Sequence, residues 1–327
     1  MHDFTVVVLE GAYASSVAVT LDMLAAAGAM AARAGVAAPR WRVGSLAGGP
    51  VALQGGMAVP TLKLPQRARG DRSTWVLPGL AMNTPALLHA RLAQADATGV
   101  VAALARHARR GGAVAASCSA VFLLQAAGLL AGRRATTTWW LAPLLQQMEP
   151  ACQVDADRMV CADGPVVTAG AAMAQTDLML HLLRERCGAA LVASLGRMLL
   201  LDARQAQAPF IVPELMASGS ALVARLAQRV EAALPAPPAV SVLASELCMS
   251  ERTLARHVRR ATGKGTLALV QSVRLRRARA LLEGSRMTVD QVAEAVGYQD
   301  ATALRRMMRK AMGVNPGRYR GGGLAGG

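Results

Sequence analysis

One short pattern, written twice near the end of the chain, constrains the fold more than anything else in these 327 residues. In VSVLASELCMSERTLARHV, Ala244 is followed by Cys248 four residues on and by Leu254 six further. In VDQVAEAVGYQDATALRR, Ala293, Gly297 and Ala303 stand at the same offsets, 49 residues later. A small residue lets two helices cross closely, a small or flexible one makes the turn, and an apolar one on the second helix packs back. That is the skeleton of a helix-turn-helix. One copy would say little, because Ala, Gly and Leu are common. Two copies, each with a basic second helix, predict a paired DNA-reading module.

The first of these second helices is expected from Ser250, an N-cap residue with Glu251 in the first turn, to Thr262, with Gly263 as its stop. Leu254, Val258 and Ala261 then face inward, and Arg252, Thr253, Arg256 and Arg259 outward. The second is expected over Ala301 to Met312, with Leu304, Met308 and Met312 inward and Thr302, Arg305, Arg306 and Arg309 outward. Leu267 to Glu283 reads as one helix ending at Gly284. Its ~17 residues at ~1.5 Å each span roughly 25 Å, a spacer suited to readers about one DNA turn (~34 Å) apart. Charge follows the same division. Sixteen Lys and Arg against six Asp and Glu lie from Pro235 onward, while the first 234 residues carry twenty against fourteen, so the phosphate-seeking excess is concentrated at the C-terminal end. The competing reading is a solvated face on which Arg252 or Arg256 pairs with Glu246 or Glu251.

These residues carry a resemblance. MSERTLARHVRRATGKG, VRLRRARALLEG and VAEAVGYQDATALRRMMRKAMGVNPGRYR are similar to the DNA-binding domain of AraC/XylS-type regulators. The Gly297-Tyr298 pair and the closing run from Gly313 to Arg320 are the most specific parts. Val258, Leu304, Met308 and Met312 stand where that family usually has Phe, so the core keeps its apolar character with less aromatic bulk. The whole chain is 53% hydrophobic but only 3% aromatic, which leaves the packing to Ala, Leu, Val and Met.

Ahead of this module the pattern changes. FTVVVL (Phe4 to Leu9), Trp41 to Ser45, Met57 to Leu64, Trp75 to Leu77 and Ala113 to Ala116 read as strands. They alternate with helices over Ser15 to Ala32, Leu87 to Arg110 and Val121 to Leu130. A hairpin around Asp163-Gly164 and helices over Thr176 to Arg186, Leu191 to Leu201 and Ala221 to Leu234 follow. Strands alternating with helices imply an α/β fold with a mostly parallel sheet. The uncharged run Gly111 to Gly132 is long enough to span a bilayer but breaks into a strand, a turn and a helix. Met1 to Phe4 has neither the basic nor the apolar region of a signal peptide, so a cytoplasmic, membrane-free chain is expected. Five cysteines without CxxC or Cys/His spacing predict neither a disulfide framework nor a metal site, and no cofactor is expected.

Within this α/β part, AVAASCSAVF (Ala113 to Phe122) places Cys118 among small residues at a strand-to-helix turn. Such a turn projects a nucleophile from the C-terminal edge of a sheet, and a helix N-terminus there lowers a thiol pKa. Together with VLPGL (Val76 to Leu80), SCSAVFLLQAAGLLAGRRATTTWW and DGPVVTAGAAMAQTDLMLHLL, it resembles ThiJ/PfpI-type domains of the class I glutamine amidotransferase-like fold, with a flavodoxin-like sandwich. More narrowly it resembles the sensor half of AraC-family regulators. The resemblance implies a small-molecule cleft for which Glu10, Ser15, Gly79, Cys118, Ser119 and Thr138 are the candidates. It also implies a departure: where such regulators commonly show His-Trp after this stretch, Thr138 precedes Trp139. A threonine cannot serve as a general base near neutral pH. His89, His107 and His181 lie in helical stretches and are expected to be structural, so no catalytic residue is assigned.

The expected organisation is therefore a ligand-sensing domain over residues 1–205, a linker with a connecting helix over 206–238, a double helix-turn-helix over 239–320 and a disordered tail over 321–327. The expected function is non-enzymatic transcription regulation on double-stranded DNA in response to a small effector. By analogy with such regulators the effector is an amino acid or quaternary amine, the chain forms a homodimer, and RNA polymerase is a partner if it activates. The alternative is a cysteine hydrolase or amidase using Cys118, with a basic nucleic-acid-binding appendage.

Overall fold

A computed structural model describes residues 2–65, 71–201, 204, 206–207, 221–263, 265–312 and 315–319. The chain forms two compact units, Met1–Gln205 and Ala206–Gly327.

The first unit is built on an eight-stranded sheet of order β3-β4-β2-β1-β5-β6-β10-β9. Its strands are β1 (Phe4–Val7), β2 (Trp41–Ser45), β3 (Gly49–Ala52), β4 (Ala58–Lys63), β5 (Thr74–Leu77), β6 (Val114–Ser117), β9 (Val160–Asp163) and β10 (Val166–Ala169). The six inner strands run parallel, and β3 and β9 cap the two edges antiparallel. β1, β6 and β10 are buried at every residue, which requires cover on both faces and explains why FTVVVL is continuously apolar rather than alternating. Helices α1 (Ala14–Ala31), α6 (Gln175–Cys187) and α7 (Ala189–Met198) pack together, as do α3 (Ala95–Arg109) and α4 (Val121–Ala126). A two-stranded ladder, β7 (Arg134–Ala135) with β8 (Gln153–Val154), and α5 (Ala142–Met148) lie between α4 and β9.

Several expectations are corrected. Leu87 to Arg110 is two helices, α2 (Pro85–Leu92) and α3. Thr84 caps the first through Leu87 N, and the chain breaks at Ala93-Gln94, where the buried Arg91 turns to hold Asp96 at 2.5 Å and the Glu10 carbonyl. The edge strand β3 was hidden because GGPVA carries turn residues. The span-length run Gly111 to Gly132 divides, as expected, into a strand, a turn and a helix: β6, a 3-10 turn and α4. By length and composition α1 could cross a bilayer, but its apolar content is explained by burial of Val17, Met23, Leu24, Ala27 and Ala31 in the core.

In the second unit, helices Val240–Glu246 and Glu251–Thr262 form the first helix-turn-helix, and Val289–Ala295 and Ala301–Met312 the second. Each has its own core. Leu243, Ala244, Leu254 and Val258 make one, and Val292, Ala293, Leu304 and Met308 the other. The helix Thr266–Gly284 enters both, giving Leu269, Val270 and Val273 to the first and Leu275, Ala278 and Leu282 to the second. Helix Ala221–Ala232, from the segment expected to connect the domains, buries Val223, Leu226, Ala227 and Val230 in the first core. It is also held by the pairs Arg229–Glu246 (2.7 Å) and Arg276–Glu231 (2.6 Å). Residues 208–220 and 321–327 of the expected linker and tail lie outside the described residues.

Candidate functional site and nucleic-acid interface

The C-terminal ends of β1, β5, β6 and β10 bring their following loops together around Cys118, the place where open α/β sheets put their sites. Cys118 takes the left-handed conformation, φ 54°, directly after β6. Its N–H donates to Gly170 O at 2.6 Å and its carbonyl accepts from Thr137 Oγ1 at 2.7 Å. Ser119 Oγ donates to Leu80 O at 2.5 Å. Gly79 is required here by close approach, since a methyl at that position would lie 2.9 Å from Cys118 Cβ. The elbow is thus tied to three neighbouring loops.

The thiol is sealed, at 1% exposure. Burial pushes its pKa up to about 11, against weaker opposing effects from Ser119, Thr138 and the Ala172 backbone. The expected lowering by a helix N-terminus does not prevail, because desolvation of a fully enclosed thiolate outweighs the field of a 3-10 turn and a six-residue helix. Thr138 acts on the thiol, yet its hydroxyl makes no hydrogen bond of ordinary geometry, and neither does Ser117 Oγ. Both are fully buried. The elbow is therefore a neutral, protonated thiol flanked by two buried hydroxyls, one of which, on Thr138, faces it. That set can donate and accept hydrogen bonds.

The structure divides the sequence candidates. Gly79, Cys118, Ser119 and Thr138 come together in the buried elbow, whereas Glu10 and Ser15 are exposed. At the start of α1 it is Ser16 that turns inward, donating to Ala172 O at 3.2 Å. Sequence reasoning missed Tyr13, whose N–H donates to Gly79 O at 2.9 Å and whose ring would lie 3.6 Å from a Gly79 methyl. It also missed Ser117, and only their adjacency to named residues could have signalled either. His107 is structural, stacked on Trp75 at 4.4 Å and bonded to Ser73 O at 3.0 Å, and His89 is exposed.

On the second unit the two second helices are capped alike. Thr253 N donates to Ser250 Oγ at 3.2 Å, and Ala303 N to Asp300 Oδ1 at 2.7 Å. These caps correct the register of the repeat. The turn Gly297-Tyr298-Gln299-Asp300 is one residue longer than Cys248-Met249-Ser250, so the counterpart of Leu254 is the fully buried Leu304 rather than Ala303. Inward positions are Leu254, Val258 and Thr262 on the first helix, and Ala301, Leu304 and Met308 on the second. Ala261 is only partly buried, and the Met312 side chain lies outside the described residues.

Arg252, Arg256, Arg259, Thr302, Arg305, Arg306 and Arg309 are all exposed. Thr253 is half-buried, its hydroxyl accepting from Ser250 Oγ at 3.0 Å. Among the described residues Arg252 and Arg256 pair with neither Glu251 nor Glu246, and Arg229 holds Glu246 through both carboxylate oxygens. Arg309 Nε reaches Asn315 Oδ1 at 3.2 Å. Arg274 donates to the carbonyls of Val296 and Gly297 and stacks over Tyr298 at 4.0 Å, tying the second turn to the long helix.

Comparison with known proteins matches each unit separately. The DJ-1/PfpI family profile covers residues 5–185, and a helix-turn-helix domain profile covers residues 243–322. The HTH-type transcriptional activator RhaR of Escherichia coli strain K12 is 27% identical over 103 residues, which is 32% of this chain and 36% of RhaR. The chain thus spans about a third of the length of the curated relatives it matches. A ThiJ/PfpI family protein from Pseudomonas syringae superposes with a TM-score of 0.50 at 18% identity, covering 83% of this chain and 91% of that one. An AraC family transcriptional regulator from Pseudomonas putida gives 0.48 at 20% identity, over 61% of this chain and all of that one.

Proposed function

Because the chain belongs to the DJ-1/PfpI family and also carries an AraC-type helix-turn-helix domain, we propose that it is a cytoplasmic transcriptional regulator whose first unit senses a small molecule. The observation that carries this reading is the pair of capped, arginine-faced helices. Each stands on its own core, and one 19-residue helix joins the two. At ~1.5 Å per residue that spacer is roughly 28 Å long. Among the described residues, Arg252, Arg256, Arg305 and Arg306 have no side-chain partner, so they are free to donate pairs of hydrogen bonds to guanine O6 and N7. The buried, protonated thiol supports a first unit that does not work by turnover. The sensed molecule belongs to the amino-acid or quaternary-amine class by family analogy, and the working form is a homodimer that engages RNA polymerase if it activates.

Selection from a randomised duplex library at two salt concentrations tests the reading. Arg252→Ala, Arg256→Ala and Arg305→Ala should each erase preference at one or two bases, worth ~1–3 kcal/mol. Arg309→Ala should weaken all sequences alike and lower the salt slope by about one. Retention of the wild-type preference by all three reader variants would sink the assignment. A thermal-shift screen of metabolites against the full chain reads the sensing half, and turnover of any hit would favour the hydrolase alternative instead.

A further inference from the structure

We propose that Arg204 is a positioning residue that passes the state of the Cys118 elbow to the chain entering the second unit, through the turn Gly170–Ala174. The inference rests on the regulator reading above and adds a route within the first unit.

The turn is held at both ends. At one end Gly170 O accepts the Cys118 N–H at 2.6 Å, and Gly170 N donates to Met159 O at 2.9 Å. In its middle, Ala172 O accepts from Ser16 Oγ. At the other end, Met173 O and Thr176 Oγ1 accept from the guanidinium of Arg204. Asp177, in the first turn of α6, takes the rest of Arg204: its backbone N–H at 2.8 Å, Nε at 3.1 Å and a terminal nitrogen at 2.6 Å. Asp177 is 5% exposed. A buried carboxylate has no water to fall back on, so its pairing with Arg204 cannot loosen without cost. Any displacement of the elbow that moves Gly170 therefore moves the frame to which Arg204 is fastened. Arg204 lies two residues before Ala206, where the second unit begins.

A second feature lies in the same segment. Gln175 is wholly buried between the turn and α1. Its Nε2 donates to Thr20 Oγ1 at 2.7 Å, yet its Oε1 has no partner. A buried acceptor left open, in the segment joining elbow and clasp, favours a second arrangement in which it is satisfied.

The test uses the full-length chain and a wedge already defined by the geometry. Gly79→Ala forces a methyl to 2.9 Å from Cys118 Cβ and so displaces the elbow. Affinity for a duplex selected by the wild-type protein is measured in wild type, Gly79→Ala, Arg204→Ala and the double variant. The expected result is a change of about fivefold or more from Gly79→Ala that vanishes when Arg204 is Ala and partly returns with Arg204→Lys. An equal effect of the wedge in both backgrounds overturns the proposal, as does no effect at all. If Gly79→Ala does not fold, Ser119→Ala, which removes the bond to Leu80 O, takes its place. Should the wild type select no duplex, the regulator reading fails on its own. The route is then judged by hydrogen exchange at Ala221–Ala232: a change caused by the wedge and abolished by Arg204→Ala supports it, and a change confined to the elbow loops overturns it.

Discussion

At the scale of single residues, burial decides which chemical groups are available. Four of the five cysteines are buried and Cys248 is exposed. Burial also pushes Cys152 and Cys161 up to about 11, the same value as Cys118. Iodoacetamide at pH 7.5 should therefore label Cys248 within minutes and the other four only after denaturation, read by mass spectrometry of peptides. Rapid labelling of Cys118 in the folded protein would contradict the sealed elbow. Asp71 illustrates the opposite balance. Burial alone would raise its carboxyl, but hydrogen bonds from the Ser73 side chain, the Ser73 backbone and Trp75, with Arg42 at 2.5 Å, hold it below the ordinary value. A depressed folded-state pKa contributes stability above the unfolded value, ~3.9, and loses it as pH falls through the folded one. Asp71→Asn should cost about 1–3 kcal/mol at neutral pH and less at pH 3, measured by urea unfolding at both.

At the scale of elements, the two turns of the DNA module solve one steric problem differently. Both need a left-handed residue, met by Cys248 at φ 54° and Gly297 at φ 78°. A side chain there costs roughly 1–2 kcal/mol, so Cys248→Gly should stabilise by up to about 1 kcal/mol after the extra chain entropy of glycine is subtracted. Gly297→Ala should destabilise by more than the conformational term. Its methyl would collide with Pro235 O, a backbone atom that cannot swing aside. Thermal unfolding of the two variants should move in opposite directions, and a neutral Gly297→Ala would refute the close approach.

At the scale of the whole molecule, the boundary of the DNA module matters more than its motifs. The first core is incomplete without Val223, Leu226, Ala227 and Val230. A fragment beginning at residue 239 uncovers the part of this core, including the facing side of helix Thr266–Gly284, on which that helix sat, at ~25 cal/mol per Å² of apolar surface. A fragment of residues 221–320 should therefore melt cooperatively and well above one of residues 239–320. Equal melting temperatures would mean that helix Ala221–Ala232 is a connector only.

The inner strands of the sheet, the paired helix-turn-helix and the inward stripes through Leu254, Val258, Leu304 and Met308 were legible because they rest on local rules, whereas the short elements β3, β7, β8 and α5 and the break between α2 and α3 were not. Those rules are the period of burial along an element, the residue that can cap a helix, and the residue that tolerates a tight turn. The elbow at Cys118 was legible as a place, because small residues crowd around one thiol between a strand and a helix. Its chemistry was not. Whether the thiol ionises depends on enclosure by Gly79 and Leu80, Thr138, and Ala172, which are brought to it from three separate loops, and no local pattern encodes that desolvation. The same holds for the inward turn of Ser16 in place of Ser15, the clasp of Arg204 on Asp177, and the longer second turn that makes Leu304 the partner of Leu254. Sequence determined which elements form and which faces they bury. Tertiary structure decided which polar groups lose their water, because desolvation depends on neighbours distant along the chain.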